Sequence, residues 1–387
     1  MQHRRARASS NRSRQPERRE SARVAPVSPR DDEIAVPAAS LVRSIERLFV
    51  SAGCSSREAG QIARGLVQAN LYGHDSHGVQ LVPAYLANLG HGLVRAGQSI
   101  SVVADHGSIV GLDGGKGFGQ SIGEAAMRVA IERASAHGCC VVGLSNTHHL
   151  GRIGQWAEQC ADAGLVSVHF VNVLSTPLVA PWGGTDTRLG TNPFCVGVPR
   201  EPHPLILDYA TSKVALGKVK VARDRGERMA SGALIGADGR PTDDPSVMFR
   251  DPPGALTPFG EHKGYALSVM CELLGGALSG GKVQHEHPRP NPMINNMLSL
   301  VFTPDKLVGR EAFARQIEHL SAWLRASPPR QGGPGIRLPG EPERTTARER
   351  ERNGIPLPRS THEALKTCAR DLGIAGEDFM SNPSELE

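Results

Sequence analysis

The sequence of 387 residues is poor in aromatic side chains and has no long apolar run and no C-x-x-C pair. With aromatic residues at 4%, few side chains are available to stack on nucleic-acid bases. No segment reaches the ~20 apolar residues that a membrane-spanning helix requires. The seven cysteines are scattered, which is typical of reduced thiols in a chain of this length. We therefore expect a cytoplasmic protein with neither nucleic acid nor a membrane as its partner.

Positive charge is concentrated in one short segment. The formal net charge is +5, but residues 1–30 alone contain nine arginines and only two acidic side chains, Glu17 and Glu20. The rest of the chain is close to neutral, so the net positive charge does not indicate a nucleic-acid-binding surface. The first twenty residues contain no Leu, Ile, Phe, Trp or Tyr. Such a composition cannot offset the cost of ordering the backbone, and we predict a disordered tail over residues 1–35.

From about residue 38 onwards, apolar spacing alternates between the periods of helices and of strands. Ser55 and Glu58 form a capping-box pattern at the start of one helix, and Gly138 follows the apolar face of another. This alternation indicates an α/β layer with a largely buried sheet. The predicted strands lie at 139–146, 165–173 and 298–302, with a strand pair in 190–212, and a long apolar helix is predicted over 261–280.

His74 and His77 lie in a polar cluster, GHDSHG, that is bordered by Gly73 and Gly78. Reduction of a ketone by hydride transfer requires a proton donor for the oxygen, and histidine suits this role near neutral pH. The carboxylate of Asp75 and a serine hydroxyl are close enough in sequence to fix a histidine tautomer. The alternative interpretation is a helix C-terminus whose polar groups are all satisfied.

His148, His149 and Arg152 lie between a predicted buried strand and the start of a helix. Ligands of open α/β sheets bind beyond the carboxyl ends of the strands, and a helix N-terminus favours anions. Arg152 is therefore a candidate partner for a pyrophosphate or a substrate carboxylate. The alternative is a polar turn that carries a surface arginine.

Asp208 ends an apolar strand, and His262 and Lys263 begin an apolar helix. A carboxylate at a strand end can accept hydrogen bonds from the hydroxyls of a ribose or from an amide. It can equally well cap the following helix. Cationic side chains at a helix N-terminus oppose the helix dipole, which indicates an anion nearby.

Two familiar nucleotide-binding patterns are absent from the sequence. Gly276, Gly281 and Lys282 have P-loop spacing, but Val283 follows them in place of Ser or Thr. No G-x-G-x-x-G follows a predicted strand, so the ordinary Rossmann fingerprint is missing. The residues alone indicate an α/β enzyme with histidine acid/base chemistry and an anionic ligand.

Six longer motifs remain to be explained: GHDSHGV (73–79), NTHHLGRIGQWAEQCADAG (146–164), PWGGTDTRLGTNPFCVGVP (181–199), LDYATS (207–212), EHKGYAL (261–267) and GEPERTTARERERNGIPL (340–357). In these motifs the chain resembles the malate/L-lactate dehydrogenase family, which is unrelated to the Rossmann-type enzymes, and the resemblance covers about residues 36–375. It implies a non-Rossmann NAD(P)-binding α/β fold with a helical domain built from both chain ends, and a homodimer. The expected division is a helical, dimer-forming domain of residues 36–110 and 305–387 and a cofactor-binding domain of residues 111–304.

The resemblance also implies roles for individual residues. His77 and His149 match histidines with acid/base duty, and His77 is also expected to lie at the nicotinamide. Arg152 and Asn192 are the expected partners of the substrate carboxylate. The implied cofactor is NAD, with NADP possible, and no metal is expected. The other residues expected to contact the cofactor are Gly151, Arg152, Ile153, Ile206, Leu207, Asp208, Tyr209, Ala210, His262, Asn295, Gly340, Glu341, Pro342 and Glu343.

The implied activity is the reversible NAD(P)H-dependent reduction of 2-oxo acids to 2-hydroxy acids, with a histidine exchanging the proton. Many members of the family carry an arginine four residues after the first motif histidine, where this sequence has Leu81. An apolar side chain there suits larger, aromatic or hydroxylated 2-oxo acids. The alternatives are a reductase of cyclic imino acids, an inactive binding protein of the same fold, and a metal-dependent hydrolase that uses the four histidines. The histidine spacing fits no zinc template.

Overall fold

The protein is represented by a computed structural model that describes residues 32–286, 293–333, 335–374 and 379. Helices and strands alternate along much of this part of the chain. The α-helices are α1 (Ala38–Ser51), α2 (Ser56–Leu71), α3 (Val82–Gly90), α4 (Gly119–His137), α5 (Gly154–Asp162), α6 (Leu216–Asp224), α7 (His262–Met270), α8 (Arg310–Arg325), α9 (Glu341–Asn353) and α10 (Arg359–Asp371). The strands are β1 (Glu33–Val36), β2 (Ser101–Asp105), β3 (Ile109–Asp113), β4 (Cys139–His148), β5 (Val166–Leu174), β6 (Phe194–Val198), β7 (Leu205–Tyr209), β8 (Leu234–Ile235), β9 (Pro241–Thr242), β10 (Ala255–Leu256), β11 (Ile294–Phe302) and β12 (Ile355–Pro358).

Seven strands form one mixed sheet in the order β2-β3-β4-β11-β5-β6-β7. β3 and β4 are parallel, and every other neighbouring pair in this sheet is antiparallel. The α/β fold class predicted from the sequence is confirmed, although the sheet is mainly antiparallel. β11 lies between β4 and β5, so a late segment of the chain completes the centre of the sheet.

Helices cover both faces of the sheet. α4 and α5 pack on one face against side chains that include Val142 and Leu144. The intervening residue Gly143 points to the other face, because successive strand residues alternate, and a Cβ there would lie 3.1 Å from the Cα of Ser279. The segment that contains α7 therefore covers the second face.

The long helix predicted over 261–280 changes character partway. α7 ends at Met270, and Cys271–Ala277 continues as a π-helical segment. A Cβ at Gly275 would lie 2.6 Å from the carbonyl oxygen of Phe170 on β5. Glycine is therefore needed where this segment approaches the strand most closely, a packing constraint that apolar periodicity does not reveal.

Described segments from the N-terminal and C-terminal parts of the chain pack into one helical unit. α1, α2, α3 and α10 enclose a core together with β1 and β12, which pair with each other. The predicted boundary after residue 110 falls inside β3, and residues 101–110 belong to the large sheet. Residues 1–31 of the predicted tail lie outside the described residues, whereas residues 33–35, also predicted as tail, form β1.

A third, smaller core lies between Val179 and Leu256 around the short strands β8, β9 and β10. The sequence indicates only a turn-rich excursion in the segment 237–245, because two-residue strands carry no readable period. None of the described helices is long and apolar enough to cross a membrane.

Gly119, the first residue of α4, lies against the turn that follows β4. A Cβ at this position would lie 2.1 Å from the carbonyl oxygen of His149. We expect Gly119→Ala to displace the turn and to lower the free energy of unfolding, measured by urea denaturation, by roughly 1–3 kcal/mol. The matched control is Gly90→Ala at the end of α3, where the added methyl meets open space and should be neutral or slightly stabilising. Equal losses in both variants would contradict this expectation.

Candidate active site

The loop after α2 carries His74 and His77 and is held by the side chain of Asn70. The Asn70 Nδ2 donates to the Oδ1 of Asp75 at 2.7 Å, and its Oδ1 accepts from the backbone N–H of Val79 at 2.8 Å. A Cβ at Gly78 would lie 2.1 Å from that oxygen. The second glycine of the motif is therefore required for the loop to pack this closely on α2.

A residue from the other end of the chain fastens the same loop. Arg350, on α9, donates from Nη1 to the Oδ1 of Asp75 at 2.6 Å and from Nη2 to its Oδ2 at 3.0 Å. Its Nη1 also donates to the backbone carbonyl of Asn70. Two charge-assisted hydrogen bonds in this fork geometry fix the carboxylate in direction as well as position. The sequence interpretation missed the role of Arg350, which is one of four arginines on the polar helix α9.

His149 lies just beyond the end of β4, where Asn295 holds the turn. The Asn295 Oδ1 accepts from the backbone N–H of Leu150 at 2.8 Å. The Nδ1 of His149 lies 2.6 Å from the hydroxyl of Tyr85. The imidazole rings of His149 and His77 stack with centroids 5.4 Å apart and planes inclined by 24°. The structure thus brings together the two predicted acid/base residues, and Tyr85 is a contact that the sequence interpretation missed.

Asp208 caps a helix, but not the one that follows it in sequence. Its Oδ2 accepts from the backbone N–H of Gly154 at 2.7 Å, at the start of α5. Burial raises the pKa of this carboxyl. Burial lowers the pKa of His77, whereas the negative charge of Asp208 acts to raise it by favouring the imidazolium.

Arg152 is buried and is not a surface residue of a polar turn. It forms an ion pair with Glu158 on α5, and its guanidinium carbon lies 4.4 Å from the ring centroid of Tyr72. Its Nε is buried without a hydrogen-bond partner. The guanidinium is therefore largely engaged within the protein, and a contact with the substrate carboxylate stays a prediction.

Of the four motif histidines, His148 and His149 are buried, whereas His74 and His77 are half-buried. Burial lowers the pKa of His74, His77 and His148 from the ordinary value of 6.5 to about 4. Burial lowers the pKa of His149 well below its ordinary value, and the neighbouring imidazoles add to the effect. Near pH 7 each neutral ring has one N–H and one bare nitrogen, so each can donate one hydrogen bond and accept another.

Two adjoining cavities meet at His77. The charged cavity, of about 670 Å³, is lined by polar groups that include Asp208, Lys218 and Glu343. The apolar cavity, of about 760 Å³, is lined by side chains that include Leu81, Leu178 and Leu216, and charged residues also reach it. Both volumes lie within the range of small-molecule and cofactor sites. The residues that line both cavities are Ser76, His77, Gln80, Gly151, Ile153, Thr191, Pro193, Ala215, Gly217 and Val221.

Most of the predicted site residues lie around these cavities. His149 and Asn295 line the apolar cavity. A narrow extension, bordered by Arg152 and Asp208, adds Ile206 and Gly340. The predicted residues that line the charged cavity are His77, Gly151, Arg152, Ile153, Asp208, Tyr209, Ala210, Pro342 and Glu343.

Four predicted residues lie elsewhere among the described residues. The buried amide of Asn192 donates to Ser268 and Glu272 and accepts from a backbone N–H of β5, so all of its polar atoms are engaged. Glu341 accepts from Arg325 and from the backbone N–H of Leu338. Leu207 is 36% exposed on β7. His262 is exposed at the start of α7 and borders neither cavity.

The charged cavity fits a dinucleotide in the chemistry of its lining. The Nε of Arg152 and the Oε2 of Glu343 are buried without a partner, so a donor and an acceptor await a ligand there. Lys218 supplies an exposed positive charge for phosphate groups. Among the described residues, no group of three His, Cys, Asp or Glu side chains is placed to hold a metal ion.

Replacing Arg350 should weaken the attachment of the loop that carries His77 to α9. We expect Arg350→Met to lower the free energy of unfolding by roughly 1.5–3 kcal/mol, because Asp75 loses its hydrogen bonds to a charged group. Urea denaturation of the purified variant measures this loss. Arg348→Met, at an exposed position of the same helix, is the matched control and should change the stability little. A loss at position 348 as large as that at position 350 would show that the ion pair is not its cause.

The chain is similar to known dehydrogenases over most of its length. The family sequence profile for malate/L-lactate dehydrogenase matches residues 36–366. Hydroxycarboxylate dehydrogenase B from Escherichia coli K12 is 45% identical over 346 residues, which cover 88% of this chain and 95% of the relative. A solved structure of a malate/lactate dehydrogenase candidate from E. coli has a TM-score of 0.85 and 44% identity, and covers 90% of this chain and 97% of its own. The delta1-piperideine-2-carboxylate reductase of Pseudomonas syringae pv. tomato has a TM-score of 0.75 and 32% identity, with coverages of 87% and 100%. This chain belongs to the malate/L-lactate dehydrogenase family.

Proposed function

We propose that the protein catalyses the reversible, NADH-dependent reduction of 2-oxo acids to 2-hydroxy acids. The observation that carries this proposal is the stacked pair of half-buried His77 and buried His149, at the place where a charged cavity meets an apolar one. A nicotinamide supplies or accepts the hydride when it is bound. The protein must then supply or accept one proton at the substrate oxygen, and it must keep water away.

His77 is the residue we assign to the proton exchange. It lines both cavities, so it faces the junction at which cofactor and substrate would meet. Its Nδ1 lies 3.0 Å from the hydroxyl of Ser76. The negative charge of Asp208 favours a protonated His77. In the reduction direction His77 takes up a second proton from water, gives it to the oxygen of the new alcohol and returns to its neutral form. In the oxidation direction the neutral ring accepts that proton.

Glu343 favours NADH over NADPH as the cofactor. Its unpartnered Oε2 at the charged cavity is an acceptor suited to a ribose hydroxyl. A carboxylate repels the additional phosphate of NADPH if that group is bound close by. The proposal of NADH rests on this charge and on the role that the family resemblance gives the segment Gly340–Glu343.

The apolar cavity favours 2-oxo acids with a sizeable side chain. Leu81 lines it at the position where many relatives carry an arginine, and Pro83, Ala84 and Leu178 extend the apolar lining. Of the two predicted carboxylate partners, Arg152 keeps one N–H without a partner, whereas every polar atom of the Asn192 amide is bonded. We therefore propose Arg152 for the substrate carboxylate.

A second candidate function is the reduction of a cyclic imino acid. The similarity to delta1-piperideine-2-carboxylate reductase favours it, because that enzyme shares the fold over 87% of this chain. The same histidine would then protonate a nitrogen in place of an oxygen. Substrate turnover distinguishes the two functions.

We also propose that the protein is a homodimer. Four apolar side chains lie exposed along α7 and its π-helical continuation, at the spacing of one helix face. Such a stripe on a helix that already covers a sheet is typical of a subunit interface. His262, an expected cofactor contact, lies at the start of this helix and borders neither cavity of its own chain. This position supports the proposal that a second copy of the chain covers the apolar stripe. The four residues are Ala266, Met270, Leu273 and Leu278.

The activity proposal predicts consumption of NADH, followed by absorbance, with 2-oxo acids. The panel would contain oxaloacetate, pyruvate, hydroxypyruvate, phenylpyruvate and a cyclic imino acid, each with NADH and NADPH. We expect aromatic or hydroxylated 2-oxo acids with NADH to be turned over best. His77→Gln should lower turnover by roughly 100- to 10,000-fold, because it removes the proton donor. Turnover of the imino acid alone would replace the proposed function by the second candidate, and no turnover by folded protein would rule out both.

The dimer proposal predicts a change in sedimentation when charge is placed on the stripe. Leu273→Glu should convert a dimer into a monomer, because a buried carboxylate would lack a partner in the interface. Trp323→Glu, at a highly exposed position on α8, is the matched control and should leave the dimer intact. A dimer that survives the first change but not the second would place the interface on α8.

A further inference from the structure

We infer that Tyr85 fixes His149 as a neutral imidazole with its proton on Nε2, which makes His149 a hydrogen-bond donor to the 2-oxygen of the substrate. This inference rests on the proposed function and assigns different duties to the two stacked histidines. His77 exchanges the proton, whereas His149 keeps its own. Tyr85 is a positioning residue that acts through His149.

The direction of the hydrogen bond between Tyr85 and His149 follows from their chemistry. The two atoms lie 2.6 Å apart, and one of them must supply the hydrogen. A phenol hydroxyl with an ordinary pKa near 10 is a stronger donor than the N–H of a neutral imidazole. The bare nitrogen of imidazole is in turn a good acceptor. The hydroxyl therefore donates to Nδ1.

Gln120 supports the same direction from the other side of the hydroxyl. Its Nε2 lies 3.3 Å from the oxygen of Tyr85 and can only donate. The hydroxyl oxygen accepts that hydrogen bond, so its own hydrogen is free to point at His149. Tyr85 itself is 2% exposed, and water has little access to compete for this bond. The order of donation is thus Gln120 to Tyr85 to His149.

The remaining nitrogen of His149, Nε2, is the one left for a ligand. With Nδ1 accepting, the single proton of the neutral ring must lie on Nε2. The ring makes no hydrogen bond to the described residues other than that to Tyr85. His149 lines the apolar cavity beside His77. Its Nε2–H is therefore available to an oxygen of a bound 2-oxo acid.

The surrounding charges separate the duties of the two histidines. The ionisable groups that act on His149 are His77 and His148, which both disfavour a positive charge on it. His77 is influenced by His74 and Arg152, and also by Asp208, which favours its protonation. The charge of Asp208 therefore stabilises a transferable proton on His77, whereas the groups that act on His149 disfavour one there.

A fixed N–H at His149 would stabilise the reaction where charge develops. When the hydride is added to the carbonyl carbon, the electrons of the carbonyl bond move to the oxygen, which takes a proton from His77. The Nε2–H of His149 remains bonded to nitrogen throughout and contacts the oxygen as its negative charge increases. Donors placed in this way in other enzymes contribute about 100- to 1,000-fold in turnover.

Two isosteric replacements of His149 test the inference. The side-chain nitrogen of Gln occupies nearly the place of Nε2, whereas that of Asn occupies nearly the place of Nδ1. We expect His149→Gln to keep turnover within about tenfold of the native protein, with the pH dependence unchanged, and His149→Asn to lose about 100- to 1,000-fold. A loss in His149→Gln as large as that in His77→Gln, with a shifted pH profile, would overturn the inference by making His149 the titrating group.

Tyr85→Phe isolates the hydrogen bond because it removes only the hydroxyl. We expect a loss of about tenfold in kcat/KM, or about 1.4 kcal/mol, with the apparent pKa of the pH profile unchanged. Tyr265→Phe on α7, away from both cavities, is the matched control and should behave as the native protein. Full activity of Tyr85→Phe would contradict the positioning role.

The tautomer can be measured without any turnover. In protein labelled with ¹⁵N-histidine, multiple-bond ¹H–¹⁵N correlation spectra distinguish a bare ring nitrogen from a protonated one, and the spectrum of His149→Gln identifies the signals of His149. We expect a bare Nδ1 and a protonated Nε2 at pH 7, and a mixture of tautomers in Tyr85→Phe. A proton on Nδ1 would overturn the inference whatever the activity. A protonated Nε2 in a protein that turns over no substrate would overturn the proposed function and the donor role while the tautomer assignment stands.

Discussion

The hydrogen-bonded ion pair between Arg350 and Asp75 is the contact on which the arrangement of the site depends. It joins a helix from the C-terminal part of the chain to the loop that presents His77. The pairing of β1 with β12 brings the two chain ends together in the same helical unit. One wall of the site is thus built by the helical unit and the other by the sheet, and the cavities lie where the two meet.

Burial gives this site its chemical character. Each imidazole is at least partly removed from water, so each stays neutral at pH values where an exposed histidine would begin to take up protons. A neutral ring has a direction, since one nitrogen donates and the other accepts. Fixed partners such as Ser76 for His77 and Tyr85 for His149 therefore decide what each ring offers to a ligand. The structure uses histidine here as an oriented polar group as much as a titratable one.

The sequence predicted the residues with a local signal and missed those that act over a distance. His77 and His149 were recognisable because each lies at a turn next to a predicted element, and both lie at the cavities. Tyr85 and Arg350 lie 64 and 275 residues from their partners, and the sequence around each of them does not indicate those contacts. The α/β class followed from periodicity, whereas the antiparallel course of most strands did not, because periodicity does not report strand direction.

Asp208 shows the same limit at the level of a single side chain. Its place at a strand end allowed either a ligand contact or a helix cap, and the cap it makes is on a helix from an earlier part of the chain. Asn192 satisfies its polar atoms inside the protein although a ligand contact was expected of it. A short polar residue in a motif can thus hold the protein backbone in place instead of contacting a ligand. Only its tertiary contacts distinguish the two roles.

The distance in sequence between Asp75 and Arg350 has a consequence for how the protein is made. A ribosome releases the chain from its N-terminus, so the His77 loop emerges long before the arginine that fastens it. β11, which completes the centre of the sheet, also arrives late. The newly made chain therefore contains every histidine of the site well before it contains a site, and an incomplete chain is protected from binding or reacting prematurely by the order of synthesis alone.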